Sequence, residues 1–303
     1  MYALDPAIES RSDEAPETLP DDFPGGADGI EIFNAEGRAP VLLLSDHSGC
    51  TIPSYLKNLG LPEEERRRHI AWDIGATDMT RRLAKRLDAP AVLNHISRLV
   101  IDPNRLPGSP TSIPAVADGT VVPGNQNLTQ EEQQRRIRLS FVPYHRAISQ
   151  QIAKLRRGGA VPAIIAMHSF TPAMQREWRP WEAAVLWSTQ DDRLARPVLE
   201  RLRDYPDLCI GANQPYSGDH PDGYSLQFHA LRTGFPNVAF EVRQDLIGTR
   251  DEAEAWADRL YEVLQQPLSD PTLYRRWGSW RRTGDDDCAA VTDARGRRRI
   301  PAG

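Results

Sequence analysis

Apolar and polar positions alternate along the chain in short blocks. Apolar runs at residues 41–44, 91–96, 163–167, 183–187, 208–210 and 238–240 have strand length, and several are rich in β-branched side chains. Between them the apolar spacing lengthens to steps of three and four. The clearest helical stretch opens at Thr129, which stands three residues before Glu132 as in a capping box, and continues through Ile137, Phe141, His145, Ile148, Ile152 and Leu155. Pro143 inside it predicts a kink. A second stretch, residues 76–87, places Thr80, Leu83 and Leu87 on one face, and a third, residues 251–265, is expected to end before Pro267. Strands alternating with helices predict an α/β sheet.

Composition narrows this picture. A chain of 303 residues allows one large domain or two small ones, and 25 prolines favour many short elements over a long helical bundle. Residues 1–30 are acidic and rich in Pro and Gly, so they read as an arm; residues 271–303, with a DDD run and an RGRRR run, read as a solvated tail. The body is expected at residues 31–270. A net charge of −5 argues against a nucleic-acid or anionic-membrane partner and leaves small molecules as the expected ligands. The cysteines, Cys50, Cys209 and Cys288, are odd in number and far apart, which fits a reducing compartment without a disulfide framework. With neither a leader pattern nor a run of spanning length, a cytoplasmic location is expected. Oligomeric state is not legible.

Several apolar runs end in a side chain with chemistry. VLLLSD leads into His47, AIIAM into His168 and NVAF into Glu241. In open α/β sheets ligands bind beyond the carboxyl ends of the strands, so residues ending separate runs can converge there. Two histidines and a carboxylate suit a catalytic zinc, which takes three protein ligands and keeps a fourth position open. Each residue alone is explained equally well as a hydrogen-bonded strand-end group.

The order of the motifs changes that weighing. DHSG at 46–49, WDIGA at 72–76, SRLVIDPNR at 97–105, VPYHR at 142–146, MHSFTP at 167–172, NQPYSG at 213–218 and FEVRQDLI at 240–247 together resemble the N-formylglutamate amidohydrolase family, in particular its broad branch of predicted amidohydrolases. The resemblance covers roughly residues 40–250. It implies a single three-layer α/β domain with a mixed, mostly parallel sheet flanked by helices, of the kind seen in zinc exopeptidases and phosphorylase/hydrolase-like folds. It also implies one zinc ion held by His47, Asp73 and His168, with Glu241 as the base acting on water. The HxxE pair of the related zinc carboxypeptidases is absent, since Ser48, Gly49 and Cys50 follow His47, so Asp73 takes the carboxylate position by resemblance to the amidase branch, with Asp46 and Asp78 as rivals. On strand alternation Asp46 points away from His47.

For the substrate, the resemblance implies that Asn104 and Arg105 hold a carboxylate, with Arg98 one strand-length upstream and with Tyr144 and His145 as further contacts. Arg suits this task because its planar fork matches a carboxylate with two parallel hydrogen bonds. Plainer readings stand beside these: a salt-bridged loop with Asp102 paired to one arginine, Arg98 before Arg105, His145 as a satisfied core histidine, and Glu241 and Arg243, two apart on one strand face, each paired with neighbours. The implied activity is zinc-dependent hydrolysis of an N-acyl amino acid, N-formylglutamate among others. DHSG and DPNR, where the histidine-degradation deformylases typically have PHAG and DLNR, leave the exact substrate open. The competing reading is a binding or regulatory protein that keeps the scaffold without turnover.

Overall fold

The computed structural model describes residues 29–219 and 223–277. Strands β1 (Ile30–Phe33), β2 (Val41–Ser45) and β3 (Ala91–Asn94) precede a small hairpin of β4 (Val116–Ala117) and β5 (Thr120–Val121). Strand β6 (Ala163–Phe170) leads into a second hairpin, β7 (Ala173–Met174) and β8 (Glu177–Trp178), and then come β9 (Ala183–Leu186), β10 (Ile210–Ala212) and β11 (Asn237–Arg243). The helices are α1 (Glu63–Arg66), α2 (Ala76–Leu87), α3 (Gln130–Arg136), α4 (Val142–Arg157), α5 (Ala195–Arg203), α6 (Ser225–His229) and α7 (Arg250–Ser269).

Seven strands form one sheet in the order β1-β3-β2-β6-β11-β9-β10. From β3 to β11 the pairing is parallel, whereas β1 runs antiparallel to β3 and β9 antiparallel to β11. Helices cover both faces, which is why the central strands read as continuous apolar runs without alternation. On one face Val41 and Leu43 join Met79 and Leu83 of α2, Val198 and Leu202 of α5, and Trp256 and Leu260 of α7 in the largest core cluster. On the other, Leu42 and Leu44 pack with Tyr144, Ile148 and Ile152 of α4. The expected three-layer, mostly parallel α/β architecture is therefore present.

Both prolines of the long helical stretches behave differently from expectation. The Thr129–Glu132 capping box is formed, but instead of a kink at Pro143 a π turn over Ile137–Phe141 joins α3 to α4, leaving Pro143 in the first turn of α4. Helix α7 runs through Pro267 to Ser269; the ring sits in the last turn and is buried, so apolar burial offsets one missing backbone bond. The start of the expected tail packs back on the body, with the Trp277 N–H donating to the Gly234 carbonyl at 2.7 Å and Arg193 to the Arg275 carbonyl at 2.6 Å. The DDD and RGRRR runs, Cys288, His220 and residues 1–28 lie outside the described residues.

Edge strand β1 is held by charge. Glu31 accepts hydrogen bonds from Arg81 of α2 at 3.0 and 2.5 Å and lies 2.7 Å from His95 Nε2. Burial opposes ionisation of Glu31, but its bonds to His95 and Arg81 outweigh burial and bring its pKa down to about 2. A depressed carboxylate contributes stability above its unfolded pKa and loses it as pH falls toward the folded value. Glu31→Gln is therefore expected to lose on the order of 1–3 kcal/mol at neutral pH and to flatten the stability decline between about pH 4.5 and 2, read by urea unfolding across pH. A variant with the wild-type acid slope would remove Glu31 as its source.

Gly75, just before α2, has φ +80° and so close a neighbour that a Cβ would lie 2.1 Å from the Ile247 carbonyl oxygen. Gly159 has φ +81° with no such neighbour within 4 Å. Alanine at either position meets the left-handed penalty of about 1–2 kcal/mol, a Tm loss of roughly 2–8 °C. Gly75→Ala should lose clearly more than Gly159→Ala in thermal unfolding; equal losses would show that the Ile247 contact relaxes freely.

Candidate metal centre

The sheet register assembles the centre. Parallel pairing of β6 with β11 sets His168 beside Glu241, and pairing of Leu44 with Ala166 brings the chain leaving β2 level with His168 at Asp46 and His47. Gly49 in the loop that follows lies so close to the backbone after β3 that a Cβ would be 2.4 Å from the His95 carbonyl oxygen. Asp73 is drawn in by its own backbone, whose N–H donates to the His47 carbonyl at 2.9 Å. All four groups therefore stand at the carboxyl-terminal side of β2, β6 and β11, the place open α/β sheets offer a ligand.

Asp73 Oδ2 faces His47 Nδ1 at 3.2 Å and His168 Nδ1 at 2.9 Å. Each imidazole has a second carboxylate on its far side: Asp102 Oδ1 lies 2.8 Å from His47 Nε2, and Asp46 Oδ2 lies 3.3 Å from His168 Nε2. An ionised carboxylate only accepts, so the bond to Asp102 places a proton on Nε2 of His47, and Asp46 favours the same tautomer for His168 by its charge. A neutral imidazole then turns its Nδ1 lone pair inward, and three acceptors converge on one point with ligand atoms all within 4.8 Å of one another. Such an arrangement is repulsive unless a cation or extra protons stand between the acceptors. Imidazoles held by outer carboxylates and aimed with an inner one are the donor set of a zinc site, and this set fits the ion.

The charge balance points the same way. Asp46, Asp73, Asp102 and Glu241 are all buried here, with the guanidinium groups of Arg98 and Arg105 lining the same cavity. Burial disfavours the Asp73 carboxylate, but His47 and His168 outweigh it and hold its pKa well below the usual range. Burial likewise disfavours the imidazolium of His168, yet Asp46 and Asp73 raise its pKa well above the ordinary value. Glu241 differs: burial pushes its pKa up to about 7, and its Oε2 has no hydrogen-bond partner among the described residues. Buried polar atoms are almost always satisfied, so an orphaned carboxylate oxygen beside an acceptor cluster marks a position for a missing polar group.

Above the centre opens a cavity of about 390 Å³. Ala166 and Ala239 line it, so the sheet face that carries bulky Ile164 under α4 turns to small side chains where the cavity needs room.

His47, Asp73 and His168 are thus brought together, with Glu241 beside them. Of the rivals, Asp78 stays outside the group. Asp46 is not aimed away, because β2 ends at Ser45 and strand alternation no longer applies; it supports His168 and accepts from Ser225 Oγ at 2.6 Å. Arg98 lines the cavity but gives Nε and Nη2 to Asp102 Oδ2 at 3.0 and 2.6 Å, so it braces the partner of His47. Asn104 also lines the cavity, although its side-chain oxygen is taken by the backbone N–H groups of Tyr224 and Ser225 at 3.0 and 2.9 Å. Arg105 lines it, its guanidinium making one hydrogen bond among the described residues, to the Asn104 carbonyl.

Tyr144 and His145 correct the expectation of substrate contact: both are fully buried and neither lines the cavity. His145 Nε2 donates to the Pro103 carbonyl at 2.9 Å, and its Nδ1 faces His229 Nε2 at the same distance. Burial brings the His145 pKa down to about 4, so the ring is neutral and fixes the 102–105 loop from below. The outer carboxylate roles of Asp46 and Asp102 were not read from the sequence, where the two partners of each pair are separated by 122 and 55 positions.

Comparison with known proteins supplies the family. A family model described as N-formylglutamate amidohydrolase matches residues 39–248, well over half of the chain. The crystal structure of gene product Atu2144 from Agrobacterium tumefaciens is similar over 80% of this chain and 95% of that one, with 34% sequence identity and a TM-score of 0.76. N-formylglutamate amidohydrolase from Ralstonia eutropha JMP134 shares the fold over 80% of this chain and 97% of its own, at 21% identity and a TM-score of 0.55. No curated protein matches the chain. The matched span carries the two imidazoles, the inner carboxylate and the orphaned glutamate together, and the chain belongs to the N-formylglutamate amidohydrolase family.

Proposed function

We propose that this protein is a zinc-dependent amidohydrolase that cleaves the N-formyl amide of an amino acid such as N-formylglutamate, releasing formate and the free amino acid. Membership of an amidohydrolase family supports amide hydrolysis. The finer reading rests on one arrangement: His47, Asp73 and His168 converge with one ligand atom each, all within 4.8 Å of one another, while Glu241, in register with His168, keeps an oxygen unpartnered among the described residues.

The three converging side chains would hold the ion, and mixed imidazole and carboxylate ligation favours zinc. When bound, the ion supplies Lewis acidity toward the amide carbonyl and toward water. Glu241 takes the proton of the attacking water on its free carboxylate oxygen and returns it to the nitrogen that leaves. Asp46 and Asp102 keep the imidazole Nδ1 atoms aimed inward. Arg105, whose guanidinium forms no salt bridge among the described residues, takes the α-carboxylate of the substrate beside the Asn104 amide N–H₂.

Purified protein is expected to carry about one zinc per chain, and His168→Ala to lose it on dialysis, because a three-ligand site without one imidazole holds metal poorly. Metal analysis reads this directly. Metal-free protein with full turnover would overturn the zinc dependence.

Glu241→Gln is nearly isosteric but cannot accept the proton. It should lower kcat by about 10²- to 10⁴-fold while zinc content and melting temperature stay close to wild type. Loss of zinc instead would make Glu241 a ligand, and retained turnover would reduce it to a structural residue.

A further inference from the structure

The cavity does not stop at the metal centre. Glu241, Ala239 and Asn237 lie two positions apart on one face of β11 and all three line it, so it follows that strand for four residues, about 13 Å, away from the reacting end. At the level of Ala239 the register sets Ala166 of β6 on one side and Leu186 of β9 on the other, and both line the cavity as well. Leu226 of α6 packs across these three, and Leu231, just beyond that helix, lines the same stretch. A side channel therefore runs between the sheet and α6 and ends at Asn237, whose amide donates to the Phe235 carbonyl at 3.0 Å.

This channel is more than loose packing. One step down the same face of β6 the core is filled by Ile164, buried under α4, whereas alanines stand on both β6 and β11 where the channel passes. At its head, Glu241 is only 7% exposed and keeps Oε2 without a partner among the described residues, so the channel opens on a group that awaits a ligand. Charge then restricts what can enter. Beyond Glu241 the lining side chains of this stretch are uncharged. Of the two guanidinium groups that line the cavity, Arg98 is paired with Asp102 at 2.6 Å, which leaves Arg105 for a single carboxylate. A β-bridge pairs Arg105 with Gly223, two residues before α6, so the carboxylate position borders the roof of the channel. A substrate with its amide at the centre and its α-carboxylate on Arg105 thus has its side chain at the channel entrance. A second carboxylate inside would be desolvated without a counter-charge, whereas methylene groups would exchange water for apolar walls.

We propose that the channel between β6, β11 and α6 is a specificity pocket for a long apolar side chain. The preferred substrate is then the N-formyl derivative of an amino acid such as methionine or norleucine, not of glutamate. This inference rests on the amide-hydrolase reading of the same centre. A hollow without a role in recognition predicts no dependence on side-chain length.

The test is a series from N-formylalanine to N-formylnorleucine, with N-formylglutamate beside it. In wild type kcat/KM should rise roughly fourfold per added methylene and exceed the value for N-formylglutamate. Ala239→Leu fills the channel and should flatten that rise to below about twofold per methylene. Leu186→Ala removes volume and serves where Ala239→Leu does not fold; it should move the best chain length upward by roughly one or two methylenes. No rise in wild type, a preference for N-formylglutamate, or the wild-type profile in either folded variant overturns the proposal. If wild-type enzyme turns over none of these compounds, the amide-hydrolase reading fails, and calorimetry with butyrate, pentanoate and hexanoate still decides the channel. Affinity that rises with chain length in wild type and changes its length dependence in the variants supports it; affinity independent of length, or the same rise in wild type and variants, overturns it.

Discussion

The structure is organised around one electrostatic constraint: a buried carboxylate placed between two imidazole nitrogens. Asp73 Oδ2 stands 3.2 and 2.9 Å from the Nδ1 atoms of His47 and His168, and an outer carboxylate, Asp102 or Asp46, faces the other nitrogen of each ring. Removing charge from water costs several kcal/mol per ion unless it is compensated, so a cluster with more carboxylates than guanidinium groups is stable only with added positive charge. Most of the surrounding architecture supplies or aims that compensation. The β6–β11 register, the backbone bond from Asp73 to His47 and the bracing of Asp102 by Arg98 all act to keep acceptors converging that would otherwise separate.

Loops of this length hold such positions only when they have a core of their own. Leu59, Leu61, Ile70, Ile96, Leu99, Val100, Ile101, Val122, Ile137 and Phe141 form a second apolar cluster away from the main sheet core. Buried Arg136 ties it together, donating to the Val100 and Gly124 carbonyls and to Asn125 Oδ1 at 3.1, 2.7 and 2.6 Å. The 102–105 loop is then fixed from two sides, by His145 at Pro103 and by the backbone of Tyr224 and Ser225 at Asn104. The cavity wall is thereby preorganised, which matters because a shift of about 1 Å in a positioning group can cost 10²-fold in rate.

Legibility in the sequence follows the range of the interaction. Strands buried on both faces announce themselves as apolar runs, and His47, His168 and Glu241 were visible because each follows or interrupts such a run. Asp73 was reached through motif order alone, since its place depends on a turn at Gly75 and on a backbone bond to a residue 26 positions earlier. Strand β1 and both hairpins are not legible: β1, IEIF at the sheet edge, is only half-buried and interrupted by Glu31, so it makes no apolar run, and the two-residue hairpin strands carry too few positions for a period of two to register. Local rules also failed where tertiary packing overrides them, as at Pro143, absorbed by a π turn, and at Pro267, buried in a final helical turn. His145 shows the reverse case, a motif residue whose helical stripe correctly placed it against the core while the motif suggested the substrate.

The same reasoning explains why Asp46 and Asp102 escape any reading of the chain by motif. Each contributes through a single contact to a ring nitrogen that already has its inner partner, so neither needs a distinctive neighbour in sequence. Their effect is nevertheless directional. A carboxylate at Nε2 fixes the tautomer, orients the ring and raises the basicity of Nδ1, whereas a carbonyl would do only the first two weakly. With two such carboxylates the centre gains electron density at both imidazoles and gains two further negative charges, which added protons or a bound cation would balance. Affinity for the ion and stability of the loops that carry Asp73 and Asp102 are therefore coupled, because the charge that makes the site bind tightly is the charge that would push those loops apart without it.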